Sequence, residues 1–276
     1  MAQPNAERDN LETDLLLEAV FRYYGHDFRL YAPASLRRRI AIAMEREQVC
    51  TISALQDKVL HDPACMERFL LTMSVNVTAL FRDPDFFRVL RAKVFPMLST
   101  YPFLRIWHAG CSTGEEVYSL AIMLQEEGLY DRCRIYATDM NEAVLRKARE
   151  GIFAASTIQQ GAANYARAGG KRSLSEYYTS AYGDTIFRAS LRDNIIFSQH
   201  NLAVEGTFNE FQLILCRNVM IYFTKPLQHR VHDLIYDSLA LFGILGIGNK
   251  EALQFTKHEH DYEQIETGAR LYRRIR

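Results

Sequence analysis

The sequence predicts an α/β fold with an open, mostly parallel sheet, preceded by a small all-α domain. Residues 11–73 place their apolar side chains at helical spacing, whereas beyond residue 104 short apolar runs of strand length alternate with stretches of helical period. The chain closes with two strand-like segments around Gly268, which predict an antiparallel hairpin at one edge of the sheet.

The first 75 residues are predicted to form a domain of four amphipathic helices. Gly25 and Pro33 separate the first two helices, and Pro63 suits the first turn of the fourth. The second helix carries a basic cluster, Arg37, Arg38, Arg39 and Arg46. This cluster is either a solvated helix face or a docking face for an acidic helical partner.

Residues 76–84 are a predicted linker between the two parts of the chain. The linker mixes β-branched and polar residues and includes Asn76, Thr78 and Arg82. Asp83 and Pro84 then predict the start of a helix, with Asp83 as its N-cap. The polar residues either line a cleft between domains or belong to a plain connection.

A strand, a tight glycine turn and a helix are predicted over residues 105–125. The turn spans residues 110–114, and Glu115 and Glu116 occupy the first helical turn, where the helix dipole favours negative charge. Such a turn brings free backbone N–H groups to the carboxyl end of a strand, which suits a nucleotide or nucleoside cofactor. A glycine turn that serves packing alone is the alternative, because only Gly110 and Gly114 are in place.

An acidic residue follows the next predicted strand. The strand covers residues 134–138 and ends at Asp139, at the distance expected for an acceptor of ribose hydroxyl groups. Asp139 could equally cap the following helix, with Glu142 three residues further on.

The rest of the chain supplies the other sheet strands. Residues 154–170 are small and polar and are predicted to be irregular, and an inserted hairpin is predicted at about 171–193. Further strands are predicted over residues 194–198, 211–216 and 242–248. Residues 211–216 are almost wholly apolar, as is typical of a central parallel strand, and they lead into Arg217, which must be paired or lie in a cleft.

Composition excludes several classes of function. The 276 residues include 33 basic and 33 acidic side chains, so no net charge favours a nucleic-acid partner. The five cysteines are scattered and the eight histidines form no ligand-like cluster, so neither a disulfide framework nor a metal site is predicted. No apolar run is long enough to span a bilayer and no signal peptide is evident, so we expect no membrane insertion and a cytoplasmic location.

Three longer motifs occur in order: N-x-T-x-x-F-R from Asn76, S-T-G-E-E-x-Y-S from Ser112, and C-R-N-V-M-I-Y-F from Cys216. With these motifs the chain resembles, over nearly its whole length, the CheR family of chemotaxis-receptor methyltransferases. The resemblance implies a helical substrate-docking domain at 1–75 and a linker at 76–84 that contributes to the active site. It further implies a Rossmann-like methyltransferase domain at 85–276, interrupted by a small β-subdomain at about 171–193.

The resemblance also implies an activity and a site. Family members transfer a methyl group from S-adenosylmethionine (SAM) to glutamate side chains of chemoreceptors for sensory adaptation, giving a glutamate methyl ester and S-adenosylhomocysteine (SAH). The implied cofactor contacts are Asn76, Thr78, Arg82, Glu115, Asp139, Asn201, Leu202, Arg217 and Asn218. Asp139 would accept the ribose, and Asn201 and Leu202 would meet the adenine. Arg82 and Tyr222 would line the place where the methyl group leaves.

The implied partner is the cytoplasmic helical region of a receptor or receptor-like protein, met by Arg37, Arg38, Arg39 and Arg46. Two departures from the family pattern concern this partner. Gly248 is followed by Asn249-Lys250-Glu251 where the family usually has His-Ser-Glu, and the loop between Tyr182 and Thr185 is short. Members that are tethered to a receptor's C-terminal peptide carry an enlarged loop there, so we expect no tethering.

Other functions stay open at this point. The chain could be a non-catalytic module that binds SAM and signals through protein contacts, or a methyltransferase that acts on a signalling protein outside chemotaxis. The balanced charge and the helical N-terminal domain disfavour a nucleic-acid or small-molecule methyltransferase.

Overall fold

The structure, a computed structural model, describes residues 4–181, 183–266 and 268–276. The chain divides into two compact units, Met1–Val75 with Tyr222–Arg230, and Asn76–Ile221 with Val231–Arg276. Residues 222–230 therefore pack with the helical unit, although the sequence places them in the larger domain. The Tyr222 carbonyl accepts a hydrogen bond from the Ala32 N–H at 2.8 Å, and Phe223 forms an antiparallel bridge with Tyr31.

The helical unit has the predicted four N-terminal helices, α1 (Pro4–Tyr24), α2 (Pro33–Glu47), α3 (Ile52–His61) and α4 (Pro63–Met73). Local sequence sets their ends. The Thr51 side chain begins α3 by accepting the Ala54 N–H at 3.1 Å, and Asp62 begins α4 by accepting the Ala64 N–H at 2.9 Å. Pro63 occupies the first turn of α4, as predicted.

The helices of the rest of the chain are α5 (Pro84–Val89), α6 (Phe95–Leu98), α7 (Glu115–Glu126), α8 (Glu142–Glu150), α9 (Ala155–Arg167) and α10 (Lys225–Ser238). A π-helical turn, Leu90–Val94, joins α5 to α6. The strands are β1 (Leu104–Ala109), β2 (Cys133–Asp139), β3 (Ile152–Ala154), β4 (Tyr178–Ala181), β5 (Asp184–Phe187), β6 (Ile195–Gln199), β7 (Phe211–Cys216), β8 (Leu239–Ile247), β9 (Tyr262–Glu266) and β10 (Leu271–Arg274).

Seven strands form the main sheet, in the order β6-β2-β1-β7-β8-β10-β9. The first five strands are parallel, and β10 pairs antiparallel with both β8 and β9, so the predicted α/β fold class and its edge hairpin are confirmed. Every residue of β7 is buried, which explains its apolar sequence. Because the five strands are parallel, β1, β2 and β7 bring their carboxyl ends to one edge of the sheet.

A second, antiparallel sheet has the order β3-β5-β4. The predicted hairpin corresponds to β4 and β5, and β3 adds a strand that the sequence analysis missed. The prediction that residues 154–170 are irregular is wrong, because α9 covers Ala155–Arg167. Its buried face is only Ile158, Gly161 and Tyr165, too small a set of apolar residues to produce a clear helical pattern.

Candidate active site

The turn after β1 is tight because two of its positions must be glycine. Gly110 has a φ of +72°, and a Cβ there would lie 2.4 Å from Cγ2 of Val219. Gly114 has a φ of +94°, and a Cβ there would lie 3.0 Å from Cβ of Ala148. Between them Ser112 adopts a left-handed φ of 52°, and its buried Oγ finds no hydrogen-bond partner among the described residues. The turn therefore combines backbone strain with an unsatisfied hydroxyl group.

Asp139 links this turn to the end of β2. One carboxylate oxygen accepts the Ser112 N–H at 2.9 Å and the other accepts the Asn141 N–H at 3.0 Å. Burial raises the pKa of Asp139, and these backbone N–H bonds oppose the rise. The cap of α8 is Asn141, whose side chain accepts the Ala143 N–H at 2.9 Å. The alternative in which Asp139 caps this helix is therefore wrong.

The start of α7 carries two buried carboxylates that differ in their partners. Glu115 is 8% exposed and accepts a hydrogen bond from Thr113 Oγ1 at 2.6 Å, and burial raises its pKa. Burial also acts to raise the pKa of Glu116, but the charge of Arg217 and the hydrogen bond with His108 outweigh it and lower that pKa. Glu116 thus remains the charged partner of a buried cation.

That cation is Arg217, which follows β7. Its side chain is fully buried, donating to Glu116 Oε2 at 2.6 Å and to Asp83 Oδ2 at 2.7 Å. The guanidinium also lies 4.0 Å from the ring centroid of Phe86. Asp83 occupies the predicted N-cap position of α5 and Pro84 follows it in the first turn, but Asp83 has a φ of 57° and its side chain makes no cap hydrogen bond. Its carboxylate instead ties the end of the linker to the end of β7.

Two further contacts fix the end of the linker within its own unit. Phe81 is buried with a left-handed φ of 50°, and its N–H donates to Ser119 Oγ at 2.9 Å. Leu80 packs against Gly161, where a Cβ would lie 2.6 Å from Cβ of Leu80. Residues 80 and 81 are therefore attached to this unit by contacts of their own.

The other predicted linker residues are more accessible. Asn76 and Thr78 are half-buried. Arg82 is also half-buried, and its Nη1 donates to the Val77 carbonyl oxygen at 3.0 Å. The guanidinium of Arg82 thus folds back onto its own segment instead of entering the ion pairs of Arg217.

Glu251 organises the backbone beyond β7, a role that the sequence analysis missed. Its carboxylate accepts four backbone N–H groups, from Gly248 at 2.6 Å, Asn218 at 3.0 Å, Val219 at 2.9 Å and Met220 at 2.8 Å. Burial raises its pKa and the four N–H bonds oppose the rise. The signal was present in the sequence, because Glu251 keeps the glutamate of the family's His-Ser-Glu pattern.

Asn218 is held in a left-handed conformation by this arrangement. Its φ is 59°, and its buried Oδ1 finds no hydrogen-bond partner among the residues that the structure describes. Gly248 must be a glycine, because a Cβ there would lie 2.8 Å from the Asn218 nitrogen. The end of β7 therefore presents a second unsatisfied polar group, on the strand next to that of the glycine turn.

Asn201 and Leu202 lie just beyond β6 and are both buried. The Asn201 side chain accepts the Ala203 N–H at 3.0 Å, and its own N–H donates to Glu205 Oε1 at 2.9 Å. This local turn fixes the segment at the carboxyl end of a strand that pairs with β2.

Tyr222 and the arginine cluster belong to the helical unit. Arg39 is half-buried, and its Nη1 donates to the Thr72 carbonyl at 2.7 Å while its guanidinium lies 5.6 Å from the ring centroid of Tyr222. Burial lowers the pKa of Arg39. Arg37, Arg38 and Arg46 are exposed, so three of the four predicted docking residues are accessible.

Comparison with known proteins identifies the family. The model of the "CheR methyltransferase, SAM binding domain" matches residues 76–270, and that of the "CheR methyltransferase, all-alpha domain" matches residues 11–74. The chain belongs to the CheR methyltransferase family. The Cher3 protein of Pseudomonas putida is 45% identical over 265 residues, which cover 96% of this chain and 97% of that protein. A chemotaxis protein methyltransferase of Listeria innocua is 32% identical over 91% of this chain and 92% of its own length.

This CheR-family chain is a SAM-dependent methyltransferase, and its site suits the cofactor. A nucleoside with an amino-acid tail needs several hydrogen-bond partners. Two buried atoms that have no partner among the described residues, Ser112 Oγ and Asn218 Oδ1, lie at the ends of β1 and β7. No group of three or more potential metal ligands occurs within residues 4–181, 183–266 and 268–276. Within the same ranges no helix is long and apolar enough to cross a membrane.

Proposed function

We propose that the chain transfers the methyl group of SAM to glutamate side chains of a chemoreceptor, giving a glutamate methyl ester and SAH. The observation that carries the proposal is that two buried groups, Ser112 Oγ and Asn218 Oδ1, have no hydrogen-bond partner in the part of the chain that the structure describes and lie with Asp139 at one edge of a CheR-family sheet. The relatives named chemotaxis protein methyltransferases support the choice of substrate.

The cofactor contacts that we propose are Asn76, Thr78, Arg82, Glu115, Asp139, Asn201, Leu202, Arg217 and Asn218. Asp139 would accept the ribose hydroxyl groups, because its carboxylate lies at the end of β2 beside the glycine turn. Asn201 and Leu202 would meet the adenine. The ion pairs of Arg217 suggest that it contributes by holding Asp83 and the linker, with only its Nε left without a partner among the described residues.

When bound, SAM supplies an electrophilic methyl group on a sulfonium centre. The glutamate that receives it is already ionised at neutral pH, so no side chain of this protein has to act as a general base. The task of the protein is to orient the carboxylate and to exclude water. Arg82 and Tyr222 are the proposed orienting residues. Arg82 and Tyr222 must bind the substrate carboxylate only moderately, because a tight ion pair between Arg82 and the carboxylate would stabilise the ground state.

We propose that residues 1–75 dock the substrate, that residues 76–84 contribute to the active site and that residues 85–276 carry out transfer. The exposed Arg37, Arg38 and Arg46 would attract the acidic helical region of the receptor. Arg39 would serve this face less directly, because its guanidinium is already bound to Thr72. The loop that includes Tyr182 lies partly outside the described residues, so the absence of peptide tethering stays a prediction.

The test is transfer of labelled methyl from SAM to a purified cytoplasmic receptor fragment, followed by mild base. A carboxyl methyl ester releases the label as methanol, whereas base-stable label would show N-methylation and contradict the proposal. The Asp139→Asn variant, assayed at a SAM concentration near the wild-type Kd, should transfer less label than the wild type. Calorimetric SAM binding without methylation of any receptor fragment would favour a non-catalytic SAM-binding module instead.

A further inference from the structure

Phe255 is an unusual residue for its position. Its side chain is 89% exposed, the highest value among the large apolar side chains that the structure describes. Its φ is 64°, in the left-handed region, which costs an L residue about 1–2 kcal/mol and which Gly or Asn would occupy more readily. Neither burial nor local geometry explains the choice of phenylalanine, and strain of this kind points towards function.

The loop around Phe255 is held in place, so the exposed ring is presented in a fixed position. The Phe255 N–H donates to Glu259 Oε2 at 2.7 Å, and Thr256 Oγ1 donates to the carbonyl of buried Leu253 at 2.7 Å.

His258 anchors the far side of the loop. It lies between Asp233, at 2.9 Å, and Asp261, at 3.2 Å, and stacks on Tyr236 with a centroid distance of 3.8 Å. These contacts attach the loop to α10 and to the start of β9.

The loop begins at the edge of the sheet that carries the candidate active site. Phe255 follows Glu251 by four residues, and Glu251 holds the backbone immediately beyond β7. Lys250 and Lys257 flank Phe255 in sequence, are both exposed and form no ion pair with any described residue. The nearby Glu259 carboxylate is occupied by the Phe255 N–H. The loop therefore offers an aromatic group with unpaired positive charge.

We propose that Phe255, Lys250 and Lys257 form a docking surface for the protein substrate, namely an amphipathic helix that presents an apolar side chain beside its glutamates. This inference rests on the proposed function. Two observations favour this occupant: the charge of the two exposed lysines complements a glutamate-rich helix, and the loop begins at the edge of the sheet that carries the candidate active site. An exposed aromatic residue with a fixed backbone is typical of an interface anchor.

The test compares Phe255→Asn with a matched control, Phe242→Asn. Phe242 is also exposed, has the same φ of 64° and lies towards the amino end of β8, away from Lys250. Asn tolerates the left-handed conformation, so Phe255→Asn should fold with a Tm close to or above that of the wild type. Phe242→Asn also loses the contact between the ring and the Arg273 guanidinium, 4.9 Å from the ring centroid, so its Tm should be slightly lower. Phe255→Asn should raise the KM for a receptor fragment about tenfold with little change in kcat. Phe242→Asn should leave both the KM and kcat unchanged. Neither variant should alter the Kd for SAH.

Direct binding of the same receptor fragment, measured by calorimetry with SAH present, separates this inference from the proposed function. If the wild type binds the fragment without methylating it, the proposed function fails, and weaker binding by Phe255→Asn still supports the docking surface. The docking surface would be overturned if Phe255→Asn and the wild type had the same affinity and the same KM for the receptor fragment. If the wild-type chain self-associates, and only Phe255→Asn abolishes this self-association while receptor affinity is unchanged, the occupant of the surface is a second copy of the chain and the proposed docking of the receptor is overturned.

Discussion

Replacing Glu251 by Gln tests whether this carboxylate positions the edge of the sheet. Each of its oxygens accepts two backbone N–H groups, those of Gly248 and Asn218 on one and those of Val219 and Met220 on the other. Gln can offer only one oxygen, and its NH₂ would face two donors. A buried donor left unsatisfied costs about 1–3 kcal/mol, so the variant should lose about 2–6 kcal/mol of unfolding free energy.

The same variant should also weaken cofactor binding, because Asn218 depends on Glu251 for its left-handed conformation. We expect a higher Kd for SAH by calorimetry and faster amide hydrogen exchange at residues 218–220 than in the wild type. Glu263→Gln is the control, since Glu263 is an exposed glutamate of β9. An unfolding free energy and a Kd for SAH both equal to those of the wild type would refute the positioning role.

Three further predictions follow from buried contacts. Asp139→Asn should raise the Kd for SAH about tenfold by calorimetry, because it removes a charged acceptor at the proposed ribose position; an unchanged Kd would contradict that placement. Gly110→Ala should lower the unfolding free energy by about 1–3 kcal/mol in denaturant titration, because its Cβ would meet Val219, and a neutral effect would mean that the turn can relax. The Glu126 side chain is fully buried and accepts hydrogen bonds from the Tyr165 and Tyr177 hydroxyl groups. Burial acts to raise the pKa of Glu126, but the hydrogen bonds from these groups and from Arg91 lower it below its usual 4.5. The ionised Glu126 therefore stabilises the fold above pH 4.5, and this stabilisation is lost as pH falls through the lowered pKa. The difference in unfolding free energy between the wild type and Glu126→Gln should shrink on acidification. A difference that grows at low pH would contradict this.

Local sequence was sufficient where one segment determines its own structure. The glycine turn, the helix start at Glu115 and the position of Asp139 depend on residues close together in the chain. The almost wholly apolar sequence of β7 reflects burial on both faces of the sheet. Predictions were wrong or incomplete where local sequence was not sufficient to determine the structure. Helix α9 has too few apolar residues to show its period. Asp83 takes the N-cap position that local sequence predicts, but its side chain pairs with Arg217 and does not cap the helix.

The sequence by itself therefore determined the fold class, the family resemblance and the edge of the sheet where the polar residues collect. Only the tertiary structure decided which of these residues form ion pairs and hydrogen bonds with one another. Arg217 and Asp83 are 134 residues apart, and Glu251 lies 33 residues beyond Asn218, so no local pattern records either contact. Folding brings these groups together in a buried setting where unpaired charges and N–H groups are costly, and that cost selects their partners.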